Sequence, residues 1–249
     1  MDSADGVHVK DLFELDQNCI FLNSAEYGIT PTSLVDAKFK YFALIENNSD
    51  LFFRHKLFEM TDETRMIAAS IINAPEENVV FLDDYVEAIH TVMRSCCHLE
   101  KRDILLFDFL NPEALKVCKF IAKYNGLNVI EIKTSPLILN SPQLLIDELK
   151  GKLDASKIGI VYVEHVSNIS LILPIKDIVA ACREKNITCV VDGNHSFCHI
   201  DLNIKDIDPG RVRDLNNLRF LHNKLQLMGI PSKVSCHFSH PNCKNNIYF

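Results

Sequence analysis

The sequence predicts an α/β fold, a three-layer sandwich around a mostly parallel sheet. Two stretches carry that expectation. Ile158–His165 and Cys189–Ser196 are apolar runs that end abruptly in polar groups, and Leu173–Asn186 between them has helical spacing. Strand, helix, strand, with polar residues where each strand ends, is the pattern of an open sheet whose ligands sit at that edge. The runs are near-continuous Val, Ile and Leu rather than alternating, which fits strands covered on both faces. Asp192 closes the second run, and a carboxylate at such an edge needs a cation or several donors.

The remaining elements follow in order. Ile20–Asn23 reads as a short strand or extended lead-in, and Tyr27–Pro31 as a turn. Leu34, Val35, Phe39, Phe42 and Ala43 are spaced for a helix from Thr32 to about Ile45. A second helix is expected from about Asp62 to Ile72, with Thr61 as its N-cap. Asn78–Leu82 reads as a buried strand and Val86–Cys97 as the helix after it. Asp103–Phe107 is the next strand. Pro112–Tyr124 follows as a helix, with Pro112 suited to its first turn and Gly126 to its end. Asn128–Ile132 is a strand and Gln143–Leu153 a helix. These repeated β-α units make one domain over about 20–205, preceded by a segment 1–19. In the remainder, 206–249, Val212–Met228 has the spacing of a helix, and the polar residues from Ile230 onward show no apolar period and read as poorly ordered.

Composition narrows the function classes. The 249 residues are 47% hydrophobic and 24% charged, ordinary for a globular protein. No apolar run approaches the ~20 residues of a membrane span. The acidic start, Met1–Gly6, is unlike a secretory or transit peptide, and cytoplasmic residence is the expectation. A net charge of −7 without a basic aromatic face argues against nucleic acid. Nine scattered cysteines suggest reduced thiols rather than a disulfide framework.

Several segments together resemble one family. They are Phe21-Leu22-Asn23 with Tyr27-Gly28 and Pro31, Phe52-Phe53, Arg65 with Ala68-Ala69, and Val79-Val80-Phe81. Ala88–Ser95, Glu164–Asn168 with Leu173-Pro174, and Val191–His195 continue the series. Their order and spacing resemble the class V aminotransferases, in the branch of isopenicillin N epimerase-like and cysteine desulfurase-like proteins. The resemblance covers about 20–205 and implies the large domain of a pyridoxal 5′-phosphate-dependent transferase, with the C-terminal small domain missing. It also implies an amino-acid substrate, a homodimer, and a transaminase, C–S lyase or desulfurase, or epimerase reaction.

The residue roles come from the same resemblance. Asp192 would pair with the pyridinium nitrogen, where a carboxylate keeps the ring protonated and able to accept electrons. His195 and Asn168 match polar contacts to the cofactor's phenolic oxygen. Tyr85 and Val86 lie where the phosphate would meet a helix N-terminus. Lys224, in Leu221–Leu225, is the candidate for the amine that joins the aldehyde, with Lys233 a second choice.

Each residue also has a plainer reading. Asp192-Gly193 is a common turn pair, His195 an ordinary loop histidine, Asn168 a turn cap, and Lys224 an exposed helix lysine. Asp83, Asp84 and Glu87 stand where related proteins carry an Asn-Ala-Thr-like sequence, and acids suit a helix first turn. Asn111 falls where the family places a ring-stacking residue, and nearby Phe109 reads as core. Cys236, His237, His240 and Cys243 are soft ligands at close spacing without a second cluster, so no metal site is assigned. The alternative function is a catalytically inactive, truncated form acting through dimerisation.

Overall fold

The computed structural model of the chain describes residues 9–22, 28–82, 84–100, 102–155, 157–207 and 247–248. They divide into two compact units, one through Glu63 and one from Thr64 onward.

In the first unit, α1 spans Thr32–Asn47, as its apolar spacing predicts, with Pro31 at the N-cap. Asn48 then caps a new start, its side-chain oxygen accepting the Leu51 N–H at 3.0 Å. From there α2 (Ser49–Leu51), a π-helical turn at Phe52–Lys56 and the first residues of α3 (Leu57–Ile71) follow without a break. Thr61 is therefore inside a helix and is not its N-cap. Its hydroxyl donates back to the Leu57 carbonyl at 2.7 Å, an internal bond open to a short hydroxyl side chain. Ile20–Leu22 is extended and joins no sheet, with Ile20 and Leu22 exposed.

The second unit is the predicted three-layer sandwich. Four parallel strands, β1 (Asp103–Phe107), β2 (Val129–Ile132), β3 (Ile158–Glu164) and β4 (Thr188–Asp192), alternate with α4 (Tyr85–Glu100), α5 (Pro112–Tyr124), α6 (Pro136–Leu139), α7 (Pro142–Ala155), α8 (Ile175–Glu184) and α9 (Ile204–Ile207). A two-residue β5, Ile247–Tyr248, pairs parallel with β4 and completes the order β2-β1-β3-β4-β5. Side chains of each strand alternate between two cores. Leu105, Phe107, Val161, Val163 and Val191 pack with α7 and α8; Ile104, Leu106, Ile160, Tyr162 and Val190 pack with α4 and α5. Burial on both faces is why β3 lacks a polar alternation and is buried along its whole length.

Local punctuation sets the ends. Asn111 caps α5 by accepting the Glu113 N–H at 2.9 Å, and Pro112 occupies the first turn. Gly126 follows the helix at φ +69°, a left-handed conformation that glycine adopts without strain. One expected strand is absent: residues 79–82 are extended but pair with nothing in the sheet, after a 3-10 turn at Glu76–Asn78. Val79 is nonetheless fully buried, so the apolar run reflects packing rather than a ladder. The helix expected at Val212–Met228 lies outside the described residues. Of the tail from Ile230 onward only β5 is described.

Candidate functional site at the carboxyl ends of the strands

Connections run from β1 to β2 on one side and from β3 to β4 on the other. The switch point of the sheet therefore lies between β1 and β3, where open α/β sheets form their crevice. Polar groups gather at this edge: Asp108 just past β1, Glu164 ending β3 and Asp192 ending β4, with Glu164 and Asp192 in register.

Asp192 is 3% exposed, and three neutral donors hold it. The Tyr85 hydroxyl donates to its Oδ2 at 2.7 Å, the Tyr162 hydroxyl to the same oxygen at 2.8 Å, and the Asn194 N–H to Oδ1 at 2.9 Å. Burial pushes its carboxyl above the ordinary value, while Asn194, the two tyrosines and the nearby His195 pull it back. Burial and the Asp192 charge push both tyrosine hydroxyls far up, so they remain donors.

Glu164 is equally buried. The Asn111 N–H donates to Oε1 at 2.8 Å and the Asn168 N–H to Oε2 at 3.2 Å. Burial lifts its carboxyl from 4.5 to about 7, with the Asp192 charge adding and the two N–H groups opposing. Next to it, burial lowers His165 from 6.5 to about 4, which keeps that ring neutral.

The expected site residues are distributed as follows. Tyr85 opens α4 and reaches Asp192 directly. Val86 is the next residue of that helix and half-buried. His195 is half-buried in the turn after β4. Asn168 is exposed at the tip of a tight turn closed by the Ser167 N–H to the Leu171 carbonyl at 2.9 Å, with Ser170 left-handed at φ 62°. Lys224, Lys233 and the Cys236–Cys243 cluster lie outside the described residues. Phe109 stacks on Phe107 at 5.3 Å against the core, as expected. Two members of the edge, Tyr162 and Glu164, carry no role in the sequence reading. A tyrosine and an acid in an otherwise apolar run were the available signal.

The donor set can be weighed against pyridoxal phosphate. At the ring end it fits: Asp192 is a buried acid whose Oδ1 accepts one donor, and a carboxylate oxygen can accept two. At the phosphate end, the N–H groups of Tyr85 and Val86 open α4, where the helix itself offers them no partner. The third N–H, of Glu87, is taken by the Asp84 carboxylate at 2.7 Å. Asp192 thus keeps acceptor capacity for a ring nitrogen, and two of the three first N–H groups of α4 are left for a phosphate.

The chain belongs to the class V aminotransferase family, whose model matches residues 20–209. Among similar proteins is the hercynylcysteine sulfoxide lyase of Schizosaccharomyces pombe, 22% identical over 82% of this chain and 52% of its own length. A cysteine desulfurase of Pectobacterium carotovorum is 24% identical over 77% of this chain and 48% of its own. In fold, the chain is similar to a C-DES variant with glycine covalently linked to its pyridoxal phosphate cofactor. That match has a TM-score of 0.65 and 20% identity, covering 77% of this chain and 51% of the other. The chain spans about half the length of the curated relatives it matches.

Proposed function

We propose that this chain is the cofactor-binding large half of a pyridoxal phosphate-dependent protein that acts on a sulfur-bearing amino acid at its C–S bond. One observation carries the reading: a carboxyl 3% exposed, at the carboxyl end of a parallel strand, whose hydrogen bonds all come from neutral donors. Such a group is costly unless something cationic completes it, and a protonated pyridine nitrogen would supply that charge. The printed names of the relatives, a sulfoxide lyase and a cysteine desulfurase, support the C–S substrate class.

When bound, the cofactor supplies an electron sink for charge developing on the substrate carbon. The chain's own residues do the rest. Asp192 holds the proton on the ring nitrogen, and Tyr85 and Tyr162 fix the direction in which its carboxylate faces. His195 and Asn168 donate to the phenolic oxygen. The N–H groups of Tyr85 and Val86 hold the phosphate, and Lys224 meets the aldehyde. A homodimer is the working assembly.

A second reading, a chain that acts through association without catalysis, is favoured by Asp84, whose carboxylate takes the Glu87 N–H and would place a negative charge beside a phosphate bound at the start of α4. The two readings separate in one experiment. Pyridoxal phosphate is added to the purified chain, absorbance is followed, and borohydride is used to fix the cofactor to any lysine it has joined. Label on Lys224 supports the catalytic reading; no labelled lysine ends it. Asp84→Asn removes a negative charge beside the phosphate, and tighter binding in that variant supports the proposed phosphate position.

A further inference from the structure

Glu164 does something that the pairing of Asp192 with a ring nitrogen does not require. Its two oxygens accept backbone N–H groups from two different connections, Asn111 after β1 and Asn168 after β3. The first bond spans 53 residues of chain and crosses the switch point between β1 and β3. Both partners are main-chain groups, so the carboxylate fixes backbone positions rather than side-chain rotamers. Asn111 also caps α5, through its side chain rather than the N–H that Glu164 holds. Asn168 sits on a short turn whose remaining closure is internal, between Ser167, Ser170 and Leu171.

We propose that Glu164 is a positioning residue whose ionised carboxylate latches the β1–α5 loop and the turn after β3 together at the switch point, and that protonation opens the latch. The physical reason is the acceptor count. An ionised carboxyl offers both oxygens to N–H donors, in bonds roughly twice as strong as neutral ones. A protonated one turns one oxygen into a donor facing an N–H group, and one of the two loops loses its tie.

The charged and titratable groups around Glu164 favour a transition near neutrality. Asp192 on β4 faces it in register and opposes its ionisation, and Tyr85 on α4 feels its charge. Burial is the largest influence, and the carboxyl titrates at about 7. His165, the next residue, stays neutral through this range and adds no countercharge. That the latched loops frame a bound ligand rests on the function proposed above; the latch itself rests on the two hydrogen bonds.

The test uses the intact, nitrogen-15-labelled chain without cofactor. Amide proton shifts of Asn111 and Asn168 are followed from pH 5 to 9. Both should move through one shared midpoint near 7. The Glu113 amide, bonded to the Asn111 side chain, should not follow them. In Glu164→Gln both titrations should vanish. Flat wild-type amides would overturn the latch even if the variant failed to fold, and so would amides that titrate unchanged in Glu164→Gln. Pyridoxal phosphate is added only afterwards, at pH 6 and pH 8. A failure to bind at either pH counts against the proposed function, whereas the amide titration alone decides the latch.

Discussion

Glu131 on β2 and Glu164 on β3 are carboxylates of the same parallel sheet, one strand apart across β1, and their acidities shift in opposite directions. Glu131 lies on the edge strand, with Lys119 Nζ at 2.9 Å from one oxygen and Lys133 Nζ at 2.8 Å from the other. Hydrogen bonds and charge from those lysines hold it below the usual range. Glu164 has no such partner in the contacts that hold it; burial and the neighbouring Asp192 raise it to about 7. The difference is one of surroundings. At the β2 edge, water and lysines satisfy a charge at little cost. At the centre of the sheet, two acids are kept beside each other on neutral donors, an arrangement that costs stability and persists in folded proteins chiefly at functional sites.

The largest expected effect follows from removing the central acid. Asp192→Ala removes the buried acceptor that the Tyr85 and Tyr162 hydroxyls share, and should cost about 3 kcal/mol of stability by chemical denaturation. The same substitution should weaken pyridoxal phosphate binding, and unchanged affinity would remove Asp192 from the site. Stability within experimental error of the wild type would show that the two tyrosines find other partners.

The next effect is a pair of opposed pH dependences. Folded Glu164 binds its proton more tightly than the unfolded group, so its contribution is present below 4.5 and is lost as pH rises through about 7. Folded His165 binds its proton less tightly, so its contribution is present above 6.5 and is lost as pH falls through about 4. Each is worth about 3 kcal/mol, and between pH 4.5 and 6.5 they oppose each other. Glu164→Gln should therefore leave a stability that climbs steadily with pH across that window. Denaturation midpoints measured at pH 4.5, 5.5 and 6.5 check the slope, and a curve parallel to wild type would refute the assignment.

Tyr85→Phe is smaller. Asp192 keeps Tyr162 and Asn194, and the loss should be about 1.5 kcal/mol, the value of a hydrogen bond to a charged group. Because Tyr85 helps to orient the Asp192 carboxylate, the variant should also bind pyridoxal phosphate more weakly than wild type, though less so than Asp192→Ala. Glu131→Gln is the smallest. Both lysines are largely exposed and Glu131 partly so, and its removal should change stability by less than about 1 kcal/mol, an effect that vanishes in high salt. A Glu131 effect as large as that of Asp192 would break the contrast between the two places.

Much of the architecture was legible because its signals are local. Strands β1 to β4 and helices α1, α4, α5, α7 and α8 lie where periodicity, prolines and glycines indicate. Asp192 stood out because an acid closing an apolar run is conspicuous, and the structure buries it at that strand end. The misreadings share a cause. Thr61 has the composition of a cap, but Asn48 starts the helix earlier and the chain coils through a π turn before reaching it. Residues 79–82 have a strand's composition, yet their apolar side chains fill the space beside the sheet rather than a position in it.

From its residues alone, the chain determined a β-α repeat, a sheet buried on both faces and an acid at the end of a strand, because period and punctuation act over a few neighbours. Tertiary structure decided what that acid touches. Tyr85 and Asp192 are 107 residues apart, Tyr162 and Asp192 are 30, and Asn111 and Glu164 are 53. Contacts at such separations depend on strand order, which periodicity does not encode. Only when β3 lies between β1 and β4 do two tyrosines and two acids meet at one edge, away from the water that would otherwise satisfy them.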